Sequence, residues 1–342
     1  MNTQSIEEIS LESSSVEIAS KAEPPRPHHK RNSVRINLSR FWALLALITY
    51  GIGLGSGYLL WGKTASDNSS NKAGEGSGEH TDMSAMADQI NPPEGYKLPI
   101  RYGVFGPKLL AAGVIDYEQF MKLYQEIGAP LDKLQTAVLN EGSNEPVVIN
   151  KDNKQFLLNL FWALGLVNQN KILTDGPMMQ NGKDQVVKFA STGGWTIGAK
   201  PVSELYASQS IITLTVEQQA RLEEVAQAVY RPCCDNPTHF PDCNHGMAML
   251  GLLELMASQG ATVDAMFEAA KYVNAFWFPQ QTLEAAMVFK AVKNVDFVKA
   301  DARSLVGRAF SSGTGSQSVH QWLVQNGKLQ QAPQGGGSCA VK

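Results

Sequence analysis

The sequence predicts a mainly α-helical protein in which one N-terminal transmembrane helix is followed by a helical extracytoplasmic domain. Three observations lead to this fold class. The uncharged apolar run 41–62 is long enough to cross a bilayer. Several later stretches carry helix-start signals ahead of apolar positions at helical spacing. Few segments alternate as strands do, so a small β-hairpin insert is the only β element expected.

Composition excludes some classes of function. The 342 residues are enough for about two structural units. The net charge of -3 provides no basic field, so no nucleic-acid partner is expected. The sequence has no P-loop, no dinucleotide-binding glycine pattern and no Gly-x-Ser-x-Gly elbow. A kinase or hydrolase is therefore not indicated, and a non-enzymatic role is favoured.

The run 41–62 is the predicted membrane anchor. At about 1.5 Å per residue it crosses a hydrocarbon core of about 30 Å, with aromatic residues at both ends. Basic residues are dense just before the run, and only Lys63 and Lys72 follow closely. The positive-inside rule therefore places the N-terminus in the cytoplasm and the later domain outside. The prediction is a single-pass protein of the cell membrane, in contact with lipid.

Small residues recur within this run at a spacing that lets a second membrane helix approach closely. The alternative is that glycine is simply common in membrane helices. The residues concerned are Gly51, Gly53, Gly55 and Gly57.

Polar segments flank the anchor and the domain. Residues 1–40 are expected to be a disordered cytoplasmic tail, 63–92 a flexible linker, 93–330 the helical domain and 331–342 a Gly-rich tail. The linker contains His80, Met83 and Met86, whose imidazole and thioether groups suit copper(I). Alternatively, this stretch is only a polar linker that turns into a helix.

Helix-start signals mark the domain. Asp116 is a predicted N-cap with Gln119 three residues on, and Thr215 with Gln218 forms a capping box. The apolar stretch 156–166 predicts a buried helix. Further helices are expected at 245–259, 263–275, 279–293 and 317–326.

The predicted strands lie between about residues 170 and 214. Segments 185–189 and 211–214 are short and apolar, and 193–195 has the composition of a turn. This region is expected to be a small β-hairpin or an irregular insert.

Three of the four cysteines lie within 233–243, which indicates a site instead of a disulfide framework. Pro232 ends the preceding helix, and Asp242 or Asn244 is the expected N-cap of the next one. Cys243 then lies at a helix N-terminus, where the dipole favours the thiolate.

This segment offers enough nitrogen and sulfur ligands for a tetrahedral zinc site, and its thiolates suit copper(I) equally well. The candidate ligands are Cys233, Cys234, Cys243, His239 and His245, with Met247, Met249 and the distant Cys339 as further candidates. In an oxidising compartment, a disulfide from Cys243 to Cys233 or Cys234 is the alternative. The two methionines could instead be core residues, and Cys339 could be incidental in a frayed end.

The order Pro232-Cys233-Cys234, His239, Asp242-Cys243 and Gly246-Met247 resembles bacterial proteins named for a Pro-Cys-Tyr-Cys-Gly-Cys signature. The resemblance covers about 228–275 and implies a cysteine loop followed by two helices in a membrane-attached, extracytoplasmic protein. Two adjacent cysteines stand where the signature has three spaced ones, and Asn244-His245 replaces later cysteines. The resemblance implies a metal- or thiol-based site and names no reaction.

Three functions follow from these observations. The first is a membrane-anchored extracytoplasmic protein that binds copper or zinc through the cysteine–histidine segment. The second is a thiol–disulfide redox protein with Cys243 as the attacking thiolate. The third is a structural or accessory subunit of a membrane complex, in which a disulfide in this loop acts as a brace.

Overall fold

Helices make up most of the chain that the computed structural model describes, which is residues 77–180 and 182–329, with side chains from residue 83. The helices of eight or more residues are α1 Ser77–Ile90, α2 Phe105–Ala112, α3 Tyr117–Glu126, α4 Lys133–Asn140, α5 Lys154–Val167, α10 Val216–Ala228, α11 Asn244–Ser258, α12 Val263–Trp277, α13 Pro279–Lys293 and α16 Gly313–Gln325. The shorter helices are α6 Lys171–Thr174, α7 Lys183–Val186, α8 Ala190–Gly193, α9 Val202–Leu205, α14 Ala302–Val306 and α15 Arg308–Ser311. Two 3-10 turns, Pro177–Met179 and Phe297–Lys299, complete the helical elements.

The predicted membrane anchor requires a correction. Across residues 77–180 and 182–329, no helix is both long enough and apolar enough to cross a bilayer. The fold class of an anchor plus an outer domain is therefore wrong, as is the predicted location in the cell membrane. The residues assigned to the anchor, 41–62, lie outside the described part of the chain, and so do its four glycines.

The predicted β-hairpin is also misplaced. Strands β1 Tyr96–Gly103 and β2 Ser143–Ile149 pair antiparallel, with two irregularities in register. The 170–214 stretch instead forms short helices and a single bridge between Asn168 and Gln209. Pro99 and Pro146 argue against strands in the sequence, yet a two-stranded ribbon tolerates them because both of its outer edges are unpaired.

The predicted helix starts are confirmed. Asp116 accepts a hydrogen bond from the backbone N–H of Gln119, and Thr215 and Gln218 form the reciprocal capping box. Each cap satisfies N–H groups that have no partner within the first turn of a helix. The predicted helices at 156–166 and in the segments after residue 244 are also present, with α16 beginning a few residues earlier than expected.

The core is centred on two buried helices, α5 and α11, which contact each other more extensively than any other described pair. Glycine makes this approach possible. A Cβ atom on Gly165 would collide with the Met247 carbonyl oxygen, and one on Gly251 would collide with that of Phe161. The close packing fixes the position of α11, whose first turn carries part of the cysteine–histidine site.

A second apolar cluster lies under α1. Met86 and Ile90 on this helix are 8 % and 1 % exposed, and they join Phe289 of α13 and Phe297. The folded part therefore starts before residue 93, within the stretch predicted to be a linker. Because Met86 and Ile90 are four residues apart, they lie on the same face of this helix, and that face packs on the cluster.

Candidate functional site

The cysteine loop connects α10 to α11 and folds back on the end of α10. Backbone N–H groups of Thr238 and His239 donate to the carbonyls of Val229 and Ala226, each at 2.8 Å. From the other side, the N–H of Gly313 at the start of α16 donates to the Cys234 carbonyl at 2.8 Å. These backbone hydrogen bonds give an irregular, proline-containing loop a fixed path.

Arg231 is the centre of the loop and is 1 % exposed. Its guanidinium donates to the carbonyls of Asn236 at 2.7 Å and Phe240 at 3.1 Å, and to the Asp242 carboxylate at 2.6 Å. Its Nε donates to Cys243 Sγ at 3.1 Å. A Cβ atom at residue 246 would collide with the guanidinium, so Gly246 provides the space that the arginine occupies.

Cys243 is itself the N-cap of α11, where either neighbour was expected. Its Sγ accepts a hydrogen bond from the backbone N–H of Gly246 at 3.4 Å. The Asp242 carboxylate instead accepts hydrogen bonds from Arg231 and from the side-chain amide of Asn236, the latter at 2.8 Å. A thiolate at this position receives donors from both the helix terminus and the guanidinium.

The three thiols of the loop are free and half-buried. Cys233 Sγ lies 3.2 Å from Cys243 Sγ, a hydrogen-bond contact that is longer than the roughly 2.05 Å of a disulfide bond. Hydrogen bonds with the thiols of Cys233 and Cys234, together with Arg231, lower the pKa of Cys243 well below its usual value. Of the three thiols, Cys243 is therefore the one whose ionised form is most favoured.

The other two thiols are the proton-bearing partners of that thiolate. Hydrogen bonding to Cys234 and Cys243, with burial, raises the pKa of Cys233. Contact with Cys233 lowers the pKa of Cys234, but hydrogen bonding to Cys243 and burial outweigh it and raise this pKa to about 12. Cys234 Sγ also lies 3.6 Å from a carboxylate oxygen of Asp242.

His245 faces this group from the first turn of α11. Its ring packs against Phe278 and Trp277, with centroid distances of 4.5 Å and 5.6 Å. Burial lowers the pKa of His245 to about 4, so the imidazole is neutral at pH 7. Its Nδ1 atom is buried and makes no hydrogen bond with any residue of the described chain.

Ligand atoms of Cys233, Cys243 and His245 all lie within 4.8 Å of one another. A second group at the same spacing consists of Cys234, Asp242 and Cys243. Two thiols and a neutral imidazole are ligands of the kind that zinc and copper(I) accept. The cysteine–histidine cluster could therefore hold a metal ion.

Other candidate ligands lie elsewhere. His239 belongs to neither group within the described chain. Met247 and Met249 are 0 % and 1 % exposed in the core, and Met86 is buried under α1. Met83 is half-buried on the same helix. The side chain of His80 and all of Cys339 lie outside the described residues.

Sequence reasoning missed Arg231 and its partner Gly246. The position of Arg231 directly before Pro232-Cys233 could have drawn attention to it, but nothing in the sequence shows that its guanidinium is buried. Only the loop geometry brings the guanidinium to the Cys243 sulfur, 12 positions further along the chain.

Comparison with known proteins identifies no relative. No protein-family model, curated protein or solved structure matches the chain. The resemblance to the Pro-Cys-Tyr-Cys-Gly-Cys proteins therefore stays a prediction, and the function has to be argued from the site.

Proposed function

We propose that the loop between α10 and α11 binds a thiophilic metal ion, zinc or copper(I), through Cys233, Cys243 and His245. The observation that carries the proposal is the convergence of their ligand atoms within 4.8 Å of one another. The buried, unpartnered Nδ1 of His245 supports it, because an imidazole lone pair left without a donor in an apolar setting costs free energy that a metal ion would offset.

The protonation states also favour metal binding. Metal ligands must be deprotonated. The lowered pKa of Cys243 favours its thiolate form, and His245 is neutral at pH 7. A metal ion would displace the proton of the Cys233 thiol. The Cys234 sulfur lies within 4.8 Å of the Cys243 sulfur and would be the fourth ligand of a tetrahedral zinc ion, whereas copper(I) needs only two or three.

Metal content of the purified full-length protein tests this proposal. The reduced protein is loaded with zinc or, under anaerobic conditions, copper(I), desalted and analysed for metal. About one equivalent is expected in the wild type and almost none in Cys233→Ser/Cys243→Ser. His239→Ala is the matched control for His245→Ala, since both histidines flank the same loop but only His245 belongs to a ligand group.

Cobalt(II) serves as a spectroscopic probe of the ligand set. Bound through thiolates in a tetrahedral site, it is expected to give intense visible and charge-transfer bands that weaken in Cys234→Ser if this thiol is the fourth ligand. Metal content that is the same in the wild type and the double serine variant would rule out the proposed site.

A second candidate function is thiol–disulfide exchange, favoured by the 3.2 Å separation of the Cys233 and Cys243 sulfurs beside Arg231. The Cys243 thiolate would attack a disulfide of a partner, forming a mixed disulfide and releasing one partner thiolate. Cys233 would lose its proton, attack the Cys243 sulfur and release the second partner thiolate, leaving a Cys233–Cys243 disulfide. The partner disulfide is thereby reduced to two thiols.

Alkylation kinetics separate the two candidates. If exchange is the function, metal-free Cys243 reacts rapidly with iodoacetamide at neutral pH. A small-molecule disulfide then also oxidises Cys233 and Cys243 to a disulfide rapidly, without the protein first having to unfold. If metal binding is the function, one equivalent of zinc protects all three thiols. A Cys233–Cys243 disulfide that forms slowly, and whose formation raises the unfolding free energy without rapid exchange with other thiols, would instead indicate a structural brace.

A further inference from the structure

A cleft of 520 Å³ lies on a different part of the chain from the cysteine loop. Its walls are the turn from α5 into α6, the extended segment 210–215 and the first half of α10. This volume falls in the range of about 300–1,000 Å³ that is typical of small-molecule sites. Among its lining residues, the sequence predicted Thr215 as a helix cap and 211–214 as a short strand, and it predicted none of them to bind a ligand.

The cleft is lined by charges of both signs and by an aliphatic surface. Its charged residues are Lys171, which is exposed, and Glu223, which is half-buried. The Glu223 carboxylate is held by a hydrogen bond from Gln219 Nε2 at 2.8 Å. Ile212 and Val216 provide apolar surface, and Val216 is 83 % exposed although it is a large hydrophobic residue.

The floor of the cleft is a pair of carboxamides. The side chains of Asn170 and Gln219 donate to each other, with both distances at 3.1 Å. A carboxamide both donates and accepts hydrogen bonds. Asn170 Oδ1 also accepts from the backbone N–H of Ile172 at 2.9 Å, so Asn170 caps α6 and its side chain is held in place. Asn170 is 5 % exposed, which fixes the position of the floor.

Behind the floor lies a carboxyl group that is fully buried in the core. Glu254 of α11 is 0 % exposed, and neither carboxyl oxygen makes a well-formed hydrogen bond with the described residues, although the amides of Asn168 and Asn170 lie beside it. A buried polar group without a good partner costs free energy and calls for a reason. Its contact with Asn170 connects the core carboxyl to the floor of the cleft.

We propose that this cleft binds a small zwitterion with an ammonium group, a carboxylate and a short aliphatic body, as in a free aliphatic α-amino acid. The ligand carboxylate pairs with Lys171, and its ammonium pairs with Glu223. The carboxamides of Asn170 and Gln219 complete the hydrogen bonds of both groups. Ile212, Leu214 and Val216 cover the aliphatic body. The cleft and the cysteine loop are separate sites, so this inference does not depend on metal binding.

Calorimetric titration of the full-length protein with L-leucine tests the proposal. Three analogues isolate the groups: isoamylamine has only the ammonium, 4-methylpentanoate only the carboxylate, and isoamyl alcohol neither. Leucine is expected to bind, and each analogue to bind at least tenfold more weakly. Equal affinity for leucine and the alcohol, or no heat from leucine at millimolar concentration, would overturn the proposal.

Single-charge variants locate the site. Glu223→Gln and Lys171→Gln are each expected to weaken leucine binding at least tenfold with little change in Tm. The exposed ion pair Lys122–Glu126 offers matched controls outside the cleft, and Lys122→Gln and Glu126→Gln should bind leucine as the wild type does. Lys171 is exposed, so its variant remains informative even if Glu223→Gln impairs folding. Undiminished binding in Lys171→Gln would overturn the assignment.

Discussion

Arg231 Nε donates a hydrogen bond to Cys243 Sγ at 3.1 Å, and the same guanidinium forms an ion pair with Asp242 at 2.6 Å. A cation, a carboxylate and a thiolate are thereby packed in one loop with the arginine side chain 2 % exposed. Removing one member of such a group leaves the others without compensation. The loop is therefore the candidate site and also a place where a single substitution should strongly lower the unfolding free energy.

Replacing the arginine tests this coupling. Arg231→Gln leaves Asp242 and the Cys243 thiolate without their cation, so we expect the unfolding free energy to fall by about 3–5 kcal/mol. The Cys243 titration midpoint should rise towards the ordinary thiol value of about 8.5. Urea unfolding gives the first quantity, and ultraviolet thiolate absorbance against pH gives the second.

Arg303→Gln is the control for that experiment. Arg303 also forms two ion pairs, with Glu224 and Asp264, but its side chain is 48 % exposed. Exposed pairs contribute about 0–1 kcal/mol, so this variant should unfold nearly as the wild type does. An equally small loss in Arg231→Gln would show that the buried cation is not a structural requirement.

In the metal-free protein, the burial of His245 should make the unfolding free energy depend on pH. Its pKa is lowered from 6.5 to about 4, so below pH 6.5 the unfolded chain takes up a proton that the folded protein refuses. Stability is lost as the pH falls from 6.5 towards 4, by up to about 3 kcal/mol. Urea unfolding at several pH values should show this loss in the wild type.

Two histidine variants assign that loss to one side chain. His245→Asn should remove the contribution, whereas His239→Asn should retain it. The same slope of unfolding free energy against pH in the wild type and in His245→Asn would contradict the assignment.

A methyl group at the crossing of α5 and α11 should not be tolerated. Gly165→Ala places a Cβ atom against the Met247 carbonyl oxygen, which belongs to the backbone and cannot move alone. Overpacking of this kind costs about 1–3 kcal/mol or more, measured as the change in unfolding free energy.

Gly313→Ala is the control, since a Cβ atom there would meet its nearest neighbour at an ordinary 3.4 Å at the start of α16. This variant should be neutral or slightly stabilising because alanine has the higher helix propensity. A larger loss in Gly313→Ala than in Gly165→Ala would mean that the crossing is not tightly packed.

The buried carboxyl of Glu254 should lower the stability of the protein as the pH rises above 4.5. Burial raises its pKa well above the usual 4.5, so the folded protein keeps a proton that the unfolded chain releases. The associated stability is full below pH 4.5 and is lost as the pH rises through the folded-state pKa.

Glu254→Gln carries no titratable group at this position, so its unfolding free energy should fall less than that of the wild type as the pH rises above 4.5. An identical dependence of unfolding free energy on pH above 4.5 in both proteins would show that another group is responsible.

Local chemistry in the sequence determined much of the helical architecture. Asp116 and Thr215 start helices where their side chains can cap them, because capping depends only on residues within one turn. The cysteine spacing likewise indicated a site, and Cys233, Cys243 and His245 do converge. The sheet was missed because Pro99 and Pro146 interrupt the alternation of apolar and polar residues that marks a strand. The two-stranded ribbon tolerates these prolines because its outer edges are unpaired.

Long-range contacts could be decided only by the tertiary structure. Apolar composition alone predicted a membrane helix in 41–62 and a fold class that the described helices do not support. The burial of Arg231, the choice of Cys243 as N-cap and the exclusion of His239 from the ligand groups all depend on how the loop folds back. Residue type and spacing set which ligands are available, but backbone hydrogen bonds and packing decide which of them meet.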